Sequence, residues 1–290
     1  MRIRGIAWEG GGILALAYLR PLAALDAELQ GGLSSVPILA GTSAGAITAC
    51  LVALGATPQQ IEAVVRQTPY AELAQNSWGV FRDTWRLLRT GGWNRLDRGR
   101  EWLSETIVGL GHHRDLTFGA LAHYHGRELH VCAVNESKGR LDVLGPRTTP
   151  ATRILDGVLA SMAIPIYWPP VAIDGQLYSD GGLINNHPID VLEQRGLAPD
   201  EVLGFALDST PRGPETPATT WPIARAKRLV RLLLAAARRG HVPTRYWPRV
   251  VKIDCGSHGP TDFAMSLAQR EWLIDAGERA WISWKRRAAA

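Results

Sequence analysis

Ser43 lies in Gly41-Thr42-Ser43-Ala44-Gly45, directly behind the apolar run Val36-Pro37-Ile38-Leu39-Ala40 and ahead of an alanine-rich stretch from Ala46 to Leu54. A strand, a Gly-x-Ser-x-Gly turn and a helix, in that order, make a nucleophile elbow. The bend is so tight that a Cβ at either flanking glycine would clash. It lifts the serine hydroxyl above the sheet edge and leaves the following amides at a helix N-terminus, where an anion is stabilised. Ser43 is the candidate nucleophile, framed by Gly41, Thr42, Ala44 and Gly45. The pentapeptide alone is only moderately specific.

A second glycine-rich stretch, Glu9-Gly10-Gly11-Gly12, follows the strand-like Arg2 to Trp8 and precedes the apolar helical run Ile13 to Leu19. Three glycines between a strand and a helix leave backbone amides bare and able to converge on an oxyanion. Acyl transfer needs such a hole, because charge develops on the carbonyl oxygen. Two other readings compete. One is a plain tight turn between strand and helix. The other is a dinucleotide site, since Gly10-x-Gly12-x-x-Ala15 satisfies the Rossmann fingerprint with Ala last. That site also wants an acidic residue at the end of the second strand, and here the second strand ends in the Ser43 elbow with no carboxylate. A P-loop is excluded because no Gly-Lys-Ser/Thr follows.

A serine nucleophile needs a base. Ser161 to Pro170 leads into Val171 to Ser179, an alternating stretch broken by Asp174-Gly175, which is a hairpin signal. Asp180-Gly181-Gly182 comes next, placing a carboxylate just past a strand on a glycine-rich turn. By itself an Asp-Gly-Gly turn is usually only a turn.

Taken together, the three stretches resemble the patatin-like phospholipase family: its Gly-Gly-Gly oxyanion loop, its Gly-x-Ser-x-Gly elbow and its Asp-Gly-Gly/Ala base, in that order. Ser161-x-Ala163-x-Pro165 with Pro169-Pro170 is similar to the family's segment ahead of the base. Asn185-Asn186-His187-Pro188 is similar to the segment after it, and Leu267 to Ala280 to its closing helix. The resemblance implies a Ser43–Asp180 dyad, an oxyanion loop formed by Gly10, Gly11 and Gly12 with the amides of Gly11 and Gly12 as donors, and a base turn completed by Gly181 and Gly182. It implies hydrolysis of fatty-acyl esters of lipids, with no metal and no cofactor. One departure stands out. The family usually reads Gly-Gly-Gly-x-Arg/Lys-Gly, and here Leu14 and Ala15 fill the last two places. Without a cation at position 14, neutral glycerides or simple esters are the expected substrates rather than anionic phospholipids.

An α/β-hydrolase is the rival for a Gly-x-Ser-x-Gly protein, with the order Ser, Asp, His and several strands ahead of the serine. Only 42 residues precede Ser43, room for one strand and one helix. His258, in Cys255-Gly256-Ser257-His258-Gly259 after the strand-like Val250 to Ile253, is the candidate third member of such a triad. The remaining histidines, including His112-His113, His123 and His125, have no metal-ligand spacing with acidic or cysteine partners and read as surface or loop groups.

The elements that must position these residues alternate. Strand and helix pairs lead to the elbow, and a helical middle follows from Pro58 to Gly111. A strand pair, Glu128–Asn135 and Arg140–Leu144, precedes a helix from Arg153 to Ala163 and the Asp180 hairpin. A helix opens at Pro188. Strands at Glu201–Leu207 and Val250 alternate with helices near Ala224–Arg239 and Asp262–Lys285. Such alternation predicts a three-layer α/β/α sandwich with a mainly parallel central sheet. No linker or repeat interrupts the 290 residues, and 46% hydrophobic content suffices for a core, so one catalytic domain over 1–290 is expected. No apolar run is long enough to span a bilayer. The chain enters its first strand at once, which predicts no signal peptide and a cytoplasmic protein. Cys50, Cys132 and Cys255 are widely spaced and read as buried free thiols.

The formal net charge of +5 is mild and uneven. Arg225, Lys227, Arg228 and Arg231 punctuate an apolar helical stretch, and Trp78, Phe81, Trp85, Leu88 and Trp93 add aromatics to an Arg-rich segment. Such pieces can lie on an anionic bilayer, or can be core-facing helices with a solvated basic side. No nucleic-acid-binding module is recognisable. The alternatives to a lipid acyl hydrolase are a carboxylesterase on small soluble esters and a lipid- or membrane-binding module whose catalysis has decayed.

Overall fold

The computed structural model describes residues 2–68, 89, 91–92, 95–209, 222–240 and 242–289. The aromatic segment carrying Trp78, Phe81, Trp85, Leu88 and Trp93, and His241, lie outside them.

Among the described residues eight strands form one sheet: β1 (Gly5–Trp8), β2 (Ile38–Thr42), β3 (Glu128–Asn135), β4 (Arg140–Leu144), β5 (Val171–Ile173), β6 (Gln176–Asp180), β7 (Val202–Asp208) and β8 (Val250–Asp254). Their order is β5-β6-β3-β2-β1-β7-β8, with β4 paired to β3. The run from β3 through β2, β1 and β7 to β8 is parallel. Its central strands GIAW, ILAGT and VLGFAL are buried along nearly their whole length, as strands covered on both faces must be. The β4, β5 and β6 pairings are antiparallel.

Alternating side chains divide between the two faces. Ile6, Trp8, Leu39, Phe205, Leu207, Val251 and Ile253 face the larger core. It is closed by α1 (Leu19–Glu28), α2 (Ala44–Ala53), α6 (Ile154–Met162) and α9 (Leu267–Ala289), and extended by α3 (Pro58–Gln67), α4 (Asp97–Gly109) and α5 (Phe118–His125). Ala7, Ile38, Ala40, Val202, Ala206 and Val250 face a smaller core under α7 (Ile189–Gln194) and the 3-10 turn Thr244–Arg249. The sandwich therefore has three layers, of unequal thickness. A further helix, α8 (Pro222–Gly240), packs on the turn that follows β6.

The apolar run after the glycines forms a buried 3-10 helix, Gly12–Tyr18, before α1 begins. Helix α9 crosses it so closely that a Cβ at Gly277 would overlap the Ala17 carbonyl. Stacking of Trp8 on Phe205 and of Phe205 on Trp281, at centroid distances of 6.1 and 6.4 Å, joins this face of the sheet to α9. Among the described residues no helix is long and apolar enough to cross a membrane. The three cysteines are buried and free, and burial pushes the thiols of Cys50 and Cys132 up to about 12.

Candidate active site

Trp8 at the end of β1 stands opposite Gly41 near the end of β2. The glycine-rich loop and the elbow thus leave neighbouring parallel strands side by side at one sheet edge, where open α/β sheets hold their sites. Ser43 adopts φ 54°, ψ −125°, a left-handed backbone costing of order 1–3 kcal/mol for a non-glycine residue. Close packing holds it there. A Cβ at Gly41 would overlap the Gly45 carbonyl, and one at Gly45 would overlap the Trp8 carbonyl. The Ser43 N–H donates to Ser161 Oγ at 2.8 Å, and that hydroxyl donates to the Cys132 carbonyl at 2.6 Å. Ser161 belongs to the segment ahead of Asp180. Its tie to the elbow was not legible in a Ser-x-Ala-x-Pro pattern.

Asp180 ends β6 and is 1% exposed. Its backbone N–H donates to the Ala163 carbonyl, and its Oδ1 accepts the Gly182 N–H at 2.7 Å. The register of β3 places it beside the elbow. Cys132 pairs with Val143 and Thr42, and Ala133 pairs with Asp142 and Asp180. Since β4 occupies one edge of β3, β2 and β6 must share the other. They run toward each other and end at Thr42 and Asp180, opposite consecutive residues of β3. The strand that leads into Ser43 and the strand that ends at Asp180 thus terminate against each other, although they are far apart in the chain. Gly181 is required at this junction, because a Cβ there would overlap the Cys132 carbonyl.

The glycines after β1 differ among themselves. The Gly10 N–H donates to the Asn186 carbonyl at 2.9 Å, so within the expected loop Gly10 has a structural hydrogen bond and is not a free donor. A Cβ at Gly10 would stand 3.0 Å from Ser43 Cβ. Gly12 has φ 53° and is roofed by the Pro260 carbonyl, which leaves no room for a side chain. The amides of Gly11 and Gly12 have no acceptor among the described residues. Ala44 begins α2 and adds a third N–H at a helix N-terminus beside Ser43.

Three residues behind the site were not recognised as such in the sequence. Glu9, 4% exposed, accepts from the Leu207 N–H at 2.6 Å and from Asn186 Nδ2 at 2.9 Å. Asn186 Nδ2 also donates to the Gly10 carbonyl at 2.8 Å. Asn185 accepts from Thr42 Oγ1 at 2.9 Å and donates its N–H to the Gly181 carbonyl at 2.9 Å. A glutamate just after a buried strand and ahead of three glycines, and the Asn-Asn pair that follows the Asp-Gly-Gly turn, were the available signals.

Ser43, Gly12 and Ala44 open onto an apolar cavity of about 80 Å³, walled by Ile47, Trp102, Met162, Ile164, Trp168 and Phe263 among others. His258 sits in the loop after β8 that also carries Pro260, with its ring edge-on to Trp272 at 5.5 Å. Two other histidines depart from a surface assignment. His130 in β3 and His187 after the Asp180-Gly181-Gly182 turn are buried, and burial holds both rings down at about 4, in the neutral form. Among the described residues no group of three or more His, Cys, Asp or Glu side chains could hold a metal.

Leu14 is fully buried in the larger core. It does not line the mouth of the site, as a substrate-facing residue at that position would. Leu14→Arg is therefore expected to unfold the loop rather than retune the substrate, since an unpaired buried charge costs several kcal/mol. A thermal melt checks this: a Leu14→Arg protein as stable as wild type would mean that the side chain can swing into the site.

A turn of Gly-x-Ser-x-Gly on a parallel strand, a glycine loop on its neighbour and a buried carboxylate beside them are set together on one mixed α/β sheet. A family model described as patatin-like phospholipase matches residues 6–193, well over half of the chain. The chain belongs to the patatin-like phospholipase family and is a hydrolase. It is 23% identical over 283 residues to uncharacterized protein R571 of Acanthamoeba polyphaga mimivirus, covering 95% of this chain and 91% of that one. It is 37% identical over 78 residues to a probable lipid hydrolase, 463L, of Invertebrate iridescent virus 6, covering 27% of each. The crystal structure of VipD from Legionella pneumophila superposes with a TM-score of 0.65 at 20% identity, covering 98% of this chain and 67% of that one, a likeness of fold.

Proposed function

We propose that the protein is a serine acyl hydrolase cleaving fatty-acyl esters of lipids through a Ser43–Asp180 dyad, within a single catalytic domain. Asp180 accepts the Ser43 proton as the hydroxyl oxygen attacks the acyl carbonyl. The amides of Gly11 and Gly12, with that of Ala44, receive the oxyanion. Collapse of the tetrahedral intermediate expels the alcohol, which takes the proton from Asp180, and water then releases the fatty acid from the acyl-enzyme. The observation that supports this reading is the end-to-end meeting of β2 and β6 on one edge of β3, where the last residues of the two strands, Thr42 and Asp180, stand opposite Cys132 and Ala133. The apolar walls of the adjoining cavity suit an acyl chain. A fluorophosphonate probe is expected to label Ser43, located by peptide mass spectrometry, and purified protein to release fatty acid in a lipid-class screen. A catalytically decayed binding module would leave Ser43 unlabelled.

Cavity size favours a second reading, a carboxylesterase on small esters. About 80 Å³ is smaller than the ~150 Å³ apolar cavity that takes up benzene. A p-nitrophenyl ester series separates the two: a kcat/KM that falls steadily beyond butyrate points to small substrates.

The surface contact we propose runs through α8, Pro222–Gly240. Arg225 and Arg228 are exposed on it, and Leu229, Leu232 and Leu233 are 52–58% exposed. Val230 is buried against Ile164 and Tyr167, on the side of the cavity wall. Lys227 and Arg231 complete the basic set in sequence; their side chains lie outside those described. A basic helix with exposed leucines, beside a cavity suited to acyl chains, matches an anionic lipid surface. Neutralising Arg225, Lys227, Arg228 and Arg231 together should weaken binding to anionic vesicles and flatten its salt dependence, with turnover of a soluble ester nearly unchanged. Vesicle sedimentation that retains no wild-type protein would remove the membrane contact.

A further inference from the structure

We propose that Asn186 is a positioning residue that sets the oxyanion loop against the base, with the buried Glu9 carboxylate as its anchor. The inference rests on the Ser43–Asp180 reading. Three catalytic pieces leave three different strands, and no covalent proximity relates them. The Asn185-Asn186 dipeptide touches all three. Asn185 holds the elbow through Thr42 and the base turn through Gly181. Asn186 clasps Gly10 on both sides, accepting its N–H at 2.9 Å and donating to its carbonyl at 2.8 Å. The Asn186 Oδ1 stands 2.5 Å from where a Cβ at Gly10 would be and 2.7 Å from where one at Gly182 would be. The amide is thus wedged between the oxyanion loop and the base turn.

Glu9 keeps the wedge in register. Its Oε2 is tied to the Leu207 N–H of β7 and its Oε1 to Asn186 Nδ2, so the two amide hydrogens of Asn186 have separate duties, one to Glu9 and one to the Gly10 carbonyl. Fixing the Gly10 carbonyl fixes the peptide plane that ends in the Gly11 N–H, a proposed oxyanion donor, because the carbonyl and the next amide share one rigid unit. A misplacement on the order of 1 Å at such a donor can cost about 100-fold.

Asn186→Asp keeps the shape but donates to neither acceptor. It is expected to lower kcat on a soluble ester by about 30-fold or more, with KM within about threefold, and to slow fluorophosphonate labelling of Ser43 in proportion. The double variant Glu9→Gln/Asn186→Asp restores a hydrogen bond between the two side chains, since glutamine can donate to the new carboxylate and still accept from Leu207. It leaves the Gly10 carbonyl without its donor. The expected result is a melting temperature recovered toward wild type while kcat stays low. A kcat that recovers in step with the melting temperature, or a folded Asn186→Asp protein with wild-type kcat, would overturn the proposal. Should the single variant fail to fold, the double variant alone carries the test. Wild-type protein that the probe does not label would instead overturn the dyad on which the inference rests.

Discussion

Ser43→Ala is expected to abolish ester hydrolysis, by roughly 10³-fold or more, while the protein stays folded. The hydroxyl is the only group removed. The backbone N–H of residue 43 keeps its bond to Ser161, and the elbow glycines keep their contacts with the Gly45 and Trp8 carbonyls. The strain at φ 54° is a property of the backbone and is shared by serine and alanine, so stability should hardly change. The measurement is turnover of a p-nitrophenyl ester alongside a thermal melt. Retained turnover with a normal melt would end the assignment of Ser43 as nucleophile.

Asp180→Asn should cost a comparable factor. Asparagine fits the same space, and its side-chain oxygen can still accept the Gly182 N–H that Asp180 Oδ1 holds at 2.7 Å. What it cannot do is take a proton from the serine. Because nucleophile and base act as a unit, the double variant should be no worse than either single one. A multiplicative loss would mean that the carboxylate works independently of Ser43. His258→Ala provides the counter-test. If it cripples the enzyme while Asp180→Asn is mild, the loop after β8 supplies a triad histidine and the dyad is wrong.

The parts of the site that were legible in the sequence are those where one local requirement dictates residue type. Gly41 and Gly45 are demanded by backbone contacts within the elbow and with the strand beside it, and so mark Ser43 directly. Gly12 is demanded by a left-handed φ under Pro260. The central strands show as apolar runs because both faces are covered, and the antiparallel hairpin before Asp180 shows as alternation around Asp174-Gly175. The closing helix is legible because Leu273, Ile274, Trp281 and Trp284 recur on one side and bury there.

Where several distant segments share a contact, residue type alone is ambiguous. Among the three adjacent glycines, residue type alone does not show why Gly10 differs; its N–H is bound to the Asn186 carbonyl, a contact that only the folded chain supplies. Leu14 occupies the place where the family resemblance leads one to expect a cation, but α9 packs over the 3-10 helix that carries it, and its side chain is buried in the core. A glutamate beside the proposed oxyanion loop is unexpected on electrostatic grounds and becomes intelligible only once Leu207 and Asn186 supply its hydrogen bonds. The sequence by itself determined the elbow, the glycine loop, the Asp-Gly-Gly turn and the alternation that builds the sheet, because each depends on steric or burial rules acting over a few residues. That β2 and β6 end against each other on one edge of β3, with Asn185 and Asn186 holding the junction, was decided only by the tertiary structure: strand register is a non-local hydrogen-bond pattern, and no single segment encodes which strand its end will meet.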